Sequence, residues 1–270
     1  MPALEIGCSG FNYKHWRGVF YPDHLPQKRW LEHYCSTFST VELNVTFYRQ
    51  PLPSTFVHWH DTTPDGFGFS VKGSRYITHI KRLKDVGEAL SRFFDGVAHL
   101  REKLQVVLWQ FPPHFELHLD RFRDFLDLLE PYGVRNTFEF RNASWMNDRV
   151  FDLARERKVS LCTAEWPAFL MDVPVTADFV YIRRHGHGGD ASGRFPLPFI
   201  RRDAERIRSL LDAGKDVYIY FNNDAAGSAI FNALELREML SQKEEEHGVH
   251  AGNRYDLCAG GEGVHPGHRP

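Results

Sequence analysis

The chain has 270 residues, of which 42% are hydrophobic and 25% are charged, the composition of an ordinary globular protein. A formal net charge of −2 argues against a general nucleic-acid or membrane binder, and no stretch approaches the roughly 20 apolar residues of a transmembrane helix. The four cysteines lack metal-type spacing, and no signal peptide is visible, which predicts a cytoplasmic protein with reduced thiols.

Short apolar runs alternate with longer helical patterns along most of the chain. The predicted strands are Leu4–Ser9, Thr40–Asn44, Phe67–Lys72, Leu104–Gln110, Asn136–Arg141, Val159–Ala164, Phe179–Arg184 and Asp216–Asn222. The predicted helices are Gln27–Ser36, Asp85–Leu100, Leu119–Leu129, Asp148–Arg157, Phe199–Asp212 and Ala226–Leu240. Alternating strands and helices favour parallel pairing, and a barrel of eight such units needs about 250 residues. Residues 1–240 are therefore predicted to form one domain, an α/β protein with a parallel eight-stranded TIM (β/α)8 barrel.

The sequence changes character at its end. From Ser241 it becomes charged and then rich in Gly, His and Pro, without periodicity. Its four histidines, from His247 to His268, are compatible with metal binding, but this composition is more typical of a polar tail. We therefore predict that residues 241–270 form a disordered C-terminal tail.

Polar side chains concentrate toward the C-terminal ends of the predicted strands. Successive side chains alternate between the two faces of a strand, so Tyr181, Arg183 and His185 share one face. Barrel enzymes place their chemistry at the mouth formed by these strand ends. The set expected at the mouth is Glu42, Asn44, Lys72, Gln110, Glu139, Arg141, Arg183, His185 and Asn222. Each residue alone could equally be half of a structural ion pair, above all Glu139 with Arg141.

Short motifs stand at nearly every predicted strand end. They include Gly7-Cys8-Ser9-Gly10-Phe11-Asn12-Tyr13, Val41-Glu42-Leu43-Asn44, Phe69-Ser70-Val71-Lys72, Gln110-Phe111-Pro112-Pro113, Glu139-Phe140-Arg141, Arg183-Arg184-His185-Gly186 and Tyr220-Phe221-Asn222-Asn223. In these motifs, which occur in order over roughly residues 5–240, the chain resembles the YecE-like family, domain of unknown function 72. The resemblance implies a TIM barrel with the motif residues around one cleft, and it implies no established reaction. Two departures from the family pattern are Thr163-Ala164-Glu165, where many relatives carry Asp, and the glycine-rich segment 187–193.

General acid–base catalysis is the leading chemical hypothesis. The residues predicted to be catalytic are Glu42, Lys72, Glu139 and His185. Glu42 and Glu139 come from nearly opposite strands, so they could face each other across the mouth like a glycosidase pair, which lies roughly 5–9.5 Å apart. Arginine forks suit phosphate or carboxylate groups, and aromatic rings can stack on a sugar or base. The predicted substrate- or anion-binding residues are Ser9, Asn44, Tyr48, Arg75, Gln110, Arg141, Trp145, Arg183 and Asn222.

No nucleotide-binding motif is visible, so no cofactor is predicted. A divalent metal held by Glu42, Glu139, Glu165 and His185 is less favoured, because Lys72 and Arg141 would repel a cation. The leading function is an enzyme, a hydrolase or lyase acting on an anionic small molecule or phosphorylated sugar. The alternatives are a nucleic-acid-binding barrel that resembles endonuclease IV in architecture and uses the basic segment 72–82, or a ligand-binding barrel without catalysis. The sequence leaves the substrate and the oligomeric state open.

Overall fold

The computed structural model describes the backbone of residues 1–186 and 193–250, and the side chains of all of these except 242–250. Most of the glycine-rich segment, 187–192, lies outside the described residues. The same holds for residues 251–270, on which most of the predicted tail falls. None of the described helices is both long enough and apolar enough to cross a membrane.

Nine parallel strands wrap into a nearly closed barrel, as predicted. They are β1 Leu4–Ser9, β2 Thr40–Leu43, β3 Gly68–Lys72, β4 Leu104–Gln110, β5 Arg135–Glu139, β6 Ser160–Leu161, β7 Thr163–Ala164, β8 Phe179–Arg184 and β9 Asp216–Phe221. The count exceeds eight because the predicted sixth strand is interrupted at Cys162. Its first half pairs with β5 and its second half with β8, so the two short strands together occupy one position of the barrel.

Helices connect the strands and cover the outside of the barrel. They are α1 Trp30–Cys35, α2 Val45–Tyr48, α3 Pro53–Thr62, α4 Gly87–Val97, α5 Leu119–Leu129, α6 Asp148–Glu156, α7 Leu197–Asp212 and α8 Ser228–His250. Two of these helices, α2 and α3, were not predicted. Helix α8 continues past the predicted end at Leu240 and takes in the first residues of the segment predicted to be a tail.

Two separate cores stabilise the fold. The larger core lies between the outer face of the barrel and the helices, and it is rich in Phe and Trp. The smaller core fills the barrel itself with Val106, Leu108, Cys162, Ala177, Phe179, Tyr181, Tyr218 and Tyr220. The hydroxyl of Tyr220 is satisfied inside the barrel by hydroxyl groups of Thr40, at 2.7 Å, and Ser70, at 2.9 Å. The barrel interior is therefore packed, and ligands can enter only from its ends.

Gly7 allows β1 to pack closely against β2. A Cβ atom at this position would lie 2.5 Å from the backbone oxygen of Thr40, so the strands would have to separate. We expect Gly7→Ala to lower the free energy of unfolding by roughly 1–3 kcal/mol through overpacking. Urea denaturation can measure this loss, with Gly87→Ala as the matched control because a Cβ there meets no atom within 4 Å. Equal stability of the two variants would contradict the close-packing argument.

Candidate functional site

A buried ion-pair network lies at the C-terminal end of the barrel, directly above the smaller core that fills the barrel interior. Its centre is Arg183 on β8, which is 1% exposed. The guanidinium binds Glu42 on β2 through both oxygens, with Nε 3.0 Å from Oε2 and Nη2 2.9 Å from Oε1. Its third nitrogen, Nη1, lies 2.6 Å from Oε2 of Glu139 on β5. One arginine therefore bridges two carboxylates that come from nearly opposite sides of the barrel.

Both carboxylates have further hydrogen-bond partners. Glu42 accepts from the hydroxyl groups of Ser9, at 2.6 Å, and Tyr181, at 2.7 Å. Glu139 accepts from the amide of Gln110, at 2.8 Å, and forms a second ion pair with Arg141. Because neither carboxylate is exposed, these contacts replace the water that the charged groups would otherwise bind. The network brings together the predicted residues Ser9, Glu42, Gln110, Glu139, Arg141 and Arg183.

The electrostatics of this network do not favour a glycosidase-type acid and base. Burial acts to raise the pKa of each carboxyl, but the cations and hydrogen bonds outweigh it. The pKa of Glu42 is lowered mainly by Arg183, and that of Glu139 is held well below its ordinary range by Arg141 and Arg183. Both groups are thus ionised at neutral pH, so neither can donate a proton as the general acid that this chemistry requires.

Arg183 does not fit its predicted role in anion binding. Its Nε, Nη1 and Nη2 atoms all donate to the two buried carboxylates, and the side chain has almost no exposed surface. Because Glu42 already takes the paired Nε and Nη2 donors, the guanidinium cannot offer a ligand the same bidentate contact. We therefore assign Arg183 to holding the carboxylates in place.

His185 lies at the edge of the network as a neutral ring. Its Nε2 is 3.1 Å from Arg141 Nη2, and its Nδ1 is 3.0 Å from the side-chain amide of Asn222. Burial, followed by the charge of Arg183, lowers the pKa of His185 to about 4. The Arg141 guanidinium and the side-chain nitrogen of Asn222 can both only donate, so each ring nitrogen faces a donor, an arrangement that disfavours a doubly protonated imidazolium. At neutral pH His185 therefore adds no charge to the mouth.

Lys72 reaches the mouth from the end of β3 and is 9% exposed. Its Nζ lies 4.3 Å from the ring centroid of Phe47 on α2. Among the described residues, no carboxylate or hydrogen-bond acceptor pairs with this nitrogen. Burial, followed by repulsion from Arg183, lowers the pKa of Lys72 from the ordinary 10.5 to about 8. The mouth therefore contains a nearly buried lysine that none of the described residues pairs with.

Arg141 lies just beyond the end of β5. Its guanidinium stacks over the ring of Trp166, at 4.5 Å from the ring centroid, and donates to Glu139 through Nε and Nη2. Its Nη1 has no hydrogen-bond acceptor in the described part of the chain. This nitrogen is therefore a donor that a ligand could use.

Other predicted site residues lie outside this network. Trp145 is fully buried between Phe140, on which it stacks, and the carbonyl of Phe115, to which its indole donates, so it does not fit its predicted role in substrate binding. Tyr48 and Arg75 are exposed near the mouth, and their roles stay predictions. Asn44 has a buried Oδ1 for which the described residues offer no hydrogen-bond partner, and it borders a cavity of about 620 Å³ on the outer side of β2.

The proposed metal ligands do not assemble into a site. Within residues 1–186 and 193–250, the structure gathers no group of three or more side chains suited to hold a metal. Glu165 instead accepts a hydrogen bond from the backbone N–H of His185, and its second oxygen lies 3.7 Å from Nη1 of Arg184. Burial leaves the pKa of Glu165 raised, whereas the cations around Glu42 and Glu139 leave their pKa values lowered.

Three contributors to the site were missed in the sequence. Tyr181 binds Glu42, Phe47 covers the Lys72 ammonium, and Trp166 covers Arg141. The strand alternation that puts Tyr181 on the same face as Arg183 could have identified Tyr181. Phe47 and Trp166 lie on connections after strands, where alternation gives no information about direction.

Comparisons with known proteins agree with this architecture. A family model described as "Protein of unknown function DUF72" matches residues 5–254. The chain is 25% identical to the UPF0759 protein YunF of Bacillus subtilis, over 88% of this chain and 94% of that protein. It is similar to the crystal structure of a DUF72 family protein from Thermotoga maritima, with 29% identity, a TM-score of 0.77, and coverage of 88% and 99% of the two chains. A DUF72 family protein from Enterococcus faecalis has a TM-score of 0.74 at 20% identity, over 88% of this chain and 95% of that one.

Proposed function

We propose that this chain, which belongs to the DUF72 family of proteins of unknown function, is an enzyme that acts on a small anionic molecule at the barrel mouth. The observation that carries the proposal is an excess of positive charge in a nearly water-free site. Among the residues that the structure describes, the three cations Lys72, Arg141 and Arg183 lie with two carboxylates, Glu42 and Glu139, and His185 is neutral. Uncompensated charge of this kind is costly in a low-dielectric site, and an anionic ligand relieves it.

Two donors at the mouth are left for such a ligand. In the described part of the chain, Nη1 of Arg141 has no acceptor, although Glu139 and Trp166 hold its guanidinium in place, and Nζ of Lys72 contacts the Phe47 ring but no hydrogen-bond acceptor. A donor that is fixed before binding loses little conformational entropy when a phosphate or carboxylate arrives. This supports Arg141 as the anion-binding residue and leaves Lys72 facing the reacting part of the substrate.

The reaction that fits best is that of a lyase. Glycoside hydrolysis would need a protonated carboxyl group, but Glu42 and Glu139 are both ionised. Glu165, whose pKa is raised, is instead engaged by the backbone N–H of His185 and lies beside Arg184. Bond cleavage beside a carbonyl needs instead an amine or base that is partly deprotonated near neutral pH, a condition that Lys72 meets.

Thermal melting tests the anion site. We expect phosphate to raise the melting temperature of the wild type more than chloride does at matched ionic strength, and Arg141→Ala to lose this difference. Saturation at 100 times Kd would add about 2.7 kcal/mol, and each kcal/mol shifts the melting temperature of a chain this size by roughly 2–4 °C. Arg92→Ala is the matched control, because this arginine is 73% exposed and pairs only with Glu88.

General salting-out stabilises all three proteins alike, so only the difference between variants counts. An equal response of the wild type and Arg141→Ala would show that the cations at the mouth are purely structural. A steep salt dependence of binding to oligonucleotides would instead favour the nucleic-acid alternative, because phosphate contacts release counterions.

A further inference from the structure

Two buried lysines of the described chain, Lys103 and Lys72, differ in their hydrogen-bond partners. Lys103 is 5% exposed, and its Nζ donates to the backbone oxygens of His60, at 2.7 Å, and Thr63, at 2.8 Å. It thereby satisfies carbonyl groups at the end of α3, a structural role. Lys72 is almost as buried and has no such partner among the described residues. A buried ammonium without a hydrogen bond destabilises the fold, so its presence at the mouth points to chemistry.

The surroundings of Lys72 favour the neutral amine. The Phe47 ring excludes water on one side, and the charges of Arg183 and Arg141 oppose protonation. With a pKa of about 8, roughly one lysine in ten is unprotonated at pH 7, against fewer than one in a thousand for an ordinary lysine. An amine in an apolar pocket beside another cation is a known way to activate lysine as a nucleophile.

We propose that Lys72 forms an imine with an aldehyde or ketone group of the substrate, which makes the substrate class small anionic carbonyl compounds. The Nζ lone pair attacks the carbonyl carbon, and a proton moves from nitrogen to the carbonyl oxygen to give a carbinolamine. The carbinolamine hydroxyl takes a proton from bulk water and leaves as one water molecule, which gives a positively charged imine that keeps the second amine proton. No oxidant or reductant is consumed. The inference rests on the proposed function for the anionic part of the substrate only.

Other residues at the mouth suit this intermediate. A protonated imine is positively charged. The carboxylates of Glu139 and Glu42 attract a cation at the Lys72 nitrogen, against the repulsion from Arg183 and Arg141. Nη1 of Arg141 can hold a carboxylate or phosphate of the same molecule. The positive iminium withdraws electrons from the adjacent carbon, which is how an imine assists cleavage of a neighbouring bond.

Reductive trapping tests the proposal with two matched pairs of probes. Pyruvate and glyoxylate carry a carboxylate, whereas acetone and acetaldehyde are their neutral counterparts. Each probe is incubated with the full-length protein and sodium cyanoborohydride, which adds hydride to the imine carbon and leaves a stable secondary amine. Peptide mass mapping then gives the labelling rate at every lysine, and Lys103 and the exposed lysines of the same sample serve as internal controls.

We expect pyruvate to label Lys72 at least about tenfold faster than any other lysine at pH 7, since its amine is far more often unprotonated. The Lys72 rate should rise with pH and level off above about 8, whereas the rates at exposed lysines keep rising. Lys72→Arg keeps the positive charge but cannot form the imine, so it should lose the fast label.

The outcomes separate the imine from the anion site. No enrichment of label at Lys72 with any of the four probes would overturn the imine proposal, even if phosphate stabilises the protein. Equal enrichment with pyruvate and acetone, unchanged in Arg141→Ala, would support the imine and overturn anion recognition by Arg141. Faster labelling by the carboxylate probes that is lost in Arg141→Ala would support both.

Discussion

Replacing Arg183 with methionine should lower the free energy of unfolding by about 3–5 kcal/mol at pH 7, because it leaves two buried carboxylates without their common cation. Glu42 would keep only the hydroxyl groups of Ser9 and Tyr181, while Glu139 would keep Arg141 and Gln110. The loss should therefore arise mainly at Glu42. Urea denaturation at pH 7 measures it directly.

The pH dependence distinguishes lost charge pairing from lost packing. In the wild type, the lowered pKa values of Glu42 and Glu139 contribute stability above the ordinary carboxyl pKa of 4.5, and this contribution disappears as the pH falls through the folded-state values. In Arg183→Met, burial without Arg183 should raise the pKa of Glu42, so protonation relieves the penalty as the pH falls. The difference between the two proteins should be smaller at pH 5 than at pH 7.

Two further variants control for the size of the substitution. Adding Glu42→Gln to Arg183→Met removes the buried charge and should restore part of the stability. Arg184→Met removes the neighbouring buried arginine, which forms a bidentate pair with Asp203 on the outer side of β8. The Arg184→Met variant shows how much stability is lost when a buried arginine outside the mouth is removed. A difference between Arg183→Met and wild type that stays constant from pH 5 to pH 7 would contradict the charge argument.

Much of the fold follows from local sequence. The strands begin and end within two residues of their predicted bounds, since short apolar runs between turn residues mark buried parallel strands. The exception is the sixth strand, whose break at Cys162 depends on how it pairs with β5 and β8. A run of apolar residues does not indicate where a strand stops pairing with one neighbouring strand and starts pairing with the other.

The composition of the site was predictable, but its pairing was not. Alternation along each strand placed Glu42, Glu139 and Arg183 on the inner face, where the structure has them. Glu42 and Arg183 are 141 residues apart, and only the closed barrel brings them within hydrogen-bond distance. Sequence alone could not show that carboxylates occupy Arg183, whereas Nη1 of Arg141 has no acceptor among the residues described. Trp145, similarly, was indistinguishable from an exposed aromatic ring in the sequence, whereas the structure packs it against Phe115 and against Phe122 of α5.

Replacing Lys72 with methionine should stabilise the protein, because methionine removes a buried positive charge. Its ammonium is buried without a hydrogen-bond partner among the described residues, so folding at pH 7 must oppose its charge. A folded-state pKa of about 8 against the ordinary 10.5 corresponds to a penalty of up to roughly 3 kcal/mol, since one pKa unit is about 1.4 kcal/mol. Loss of the contact with Phe47 offsets part of the gain, so we expect a net stabilisation of about 1–3 kcal/mol.

The sign of the pH dependence makes this prediction specific. Because the folded-state pKa of Lys72 is lowered, the penalty is fully present below pH 8 and disappears as the pH rises toward 10.5. The advantage of Lys72→Met over the wild type in urea denaturation should therefore shrink between pH 7 and pH 9.5. Lys103→Met is the matched control, since it removes an equally buried lysine that donates three hydrogen bonds, and it should destabilise the protein. If both variants lose stability at pH 7, Lys72 is held by favourable contacts in the folded protein, and the case for an activated amine at the mouth fails with it.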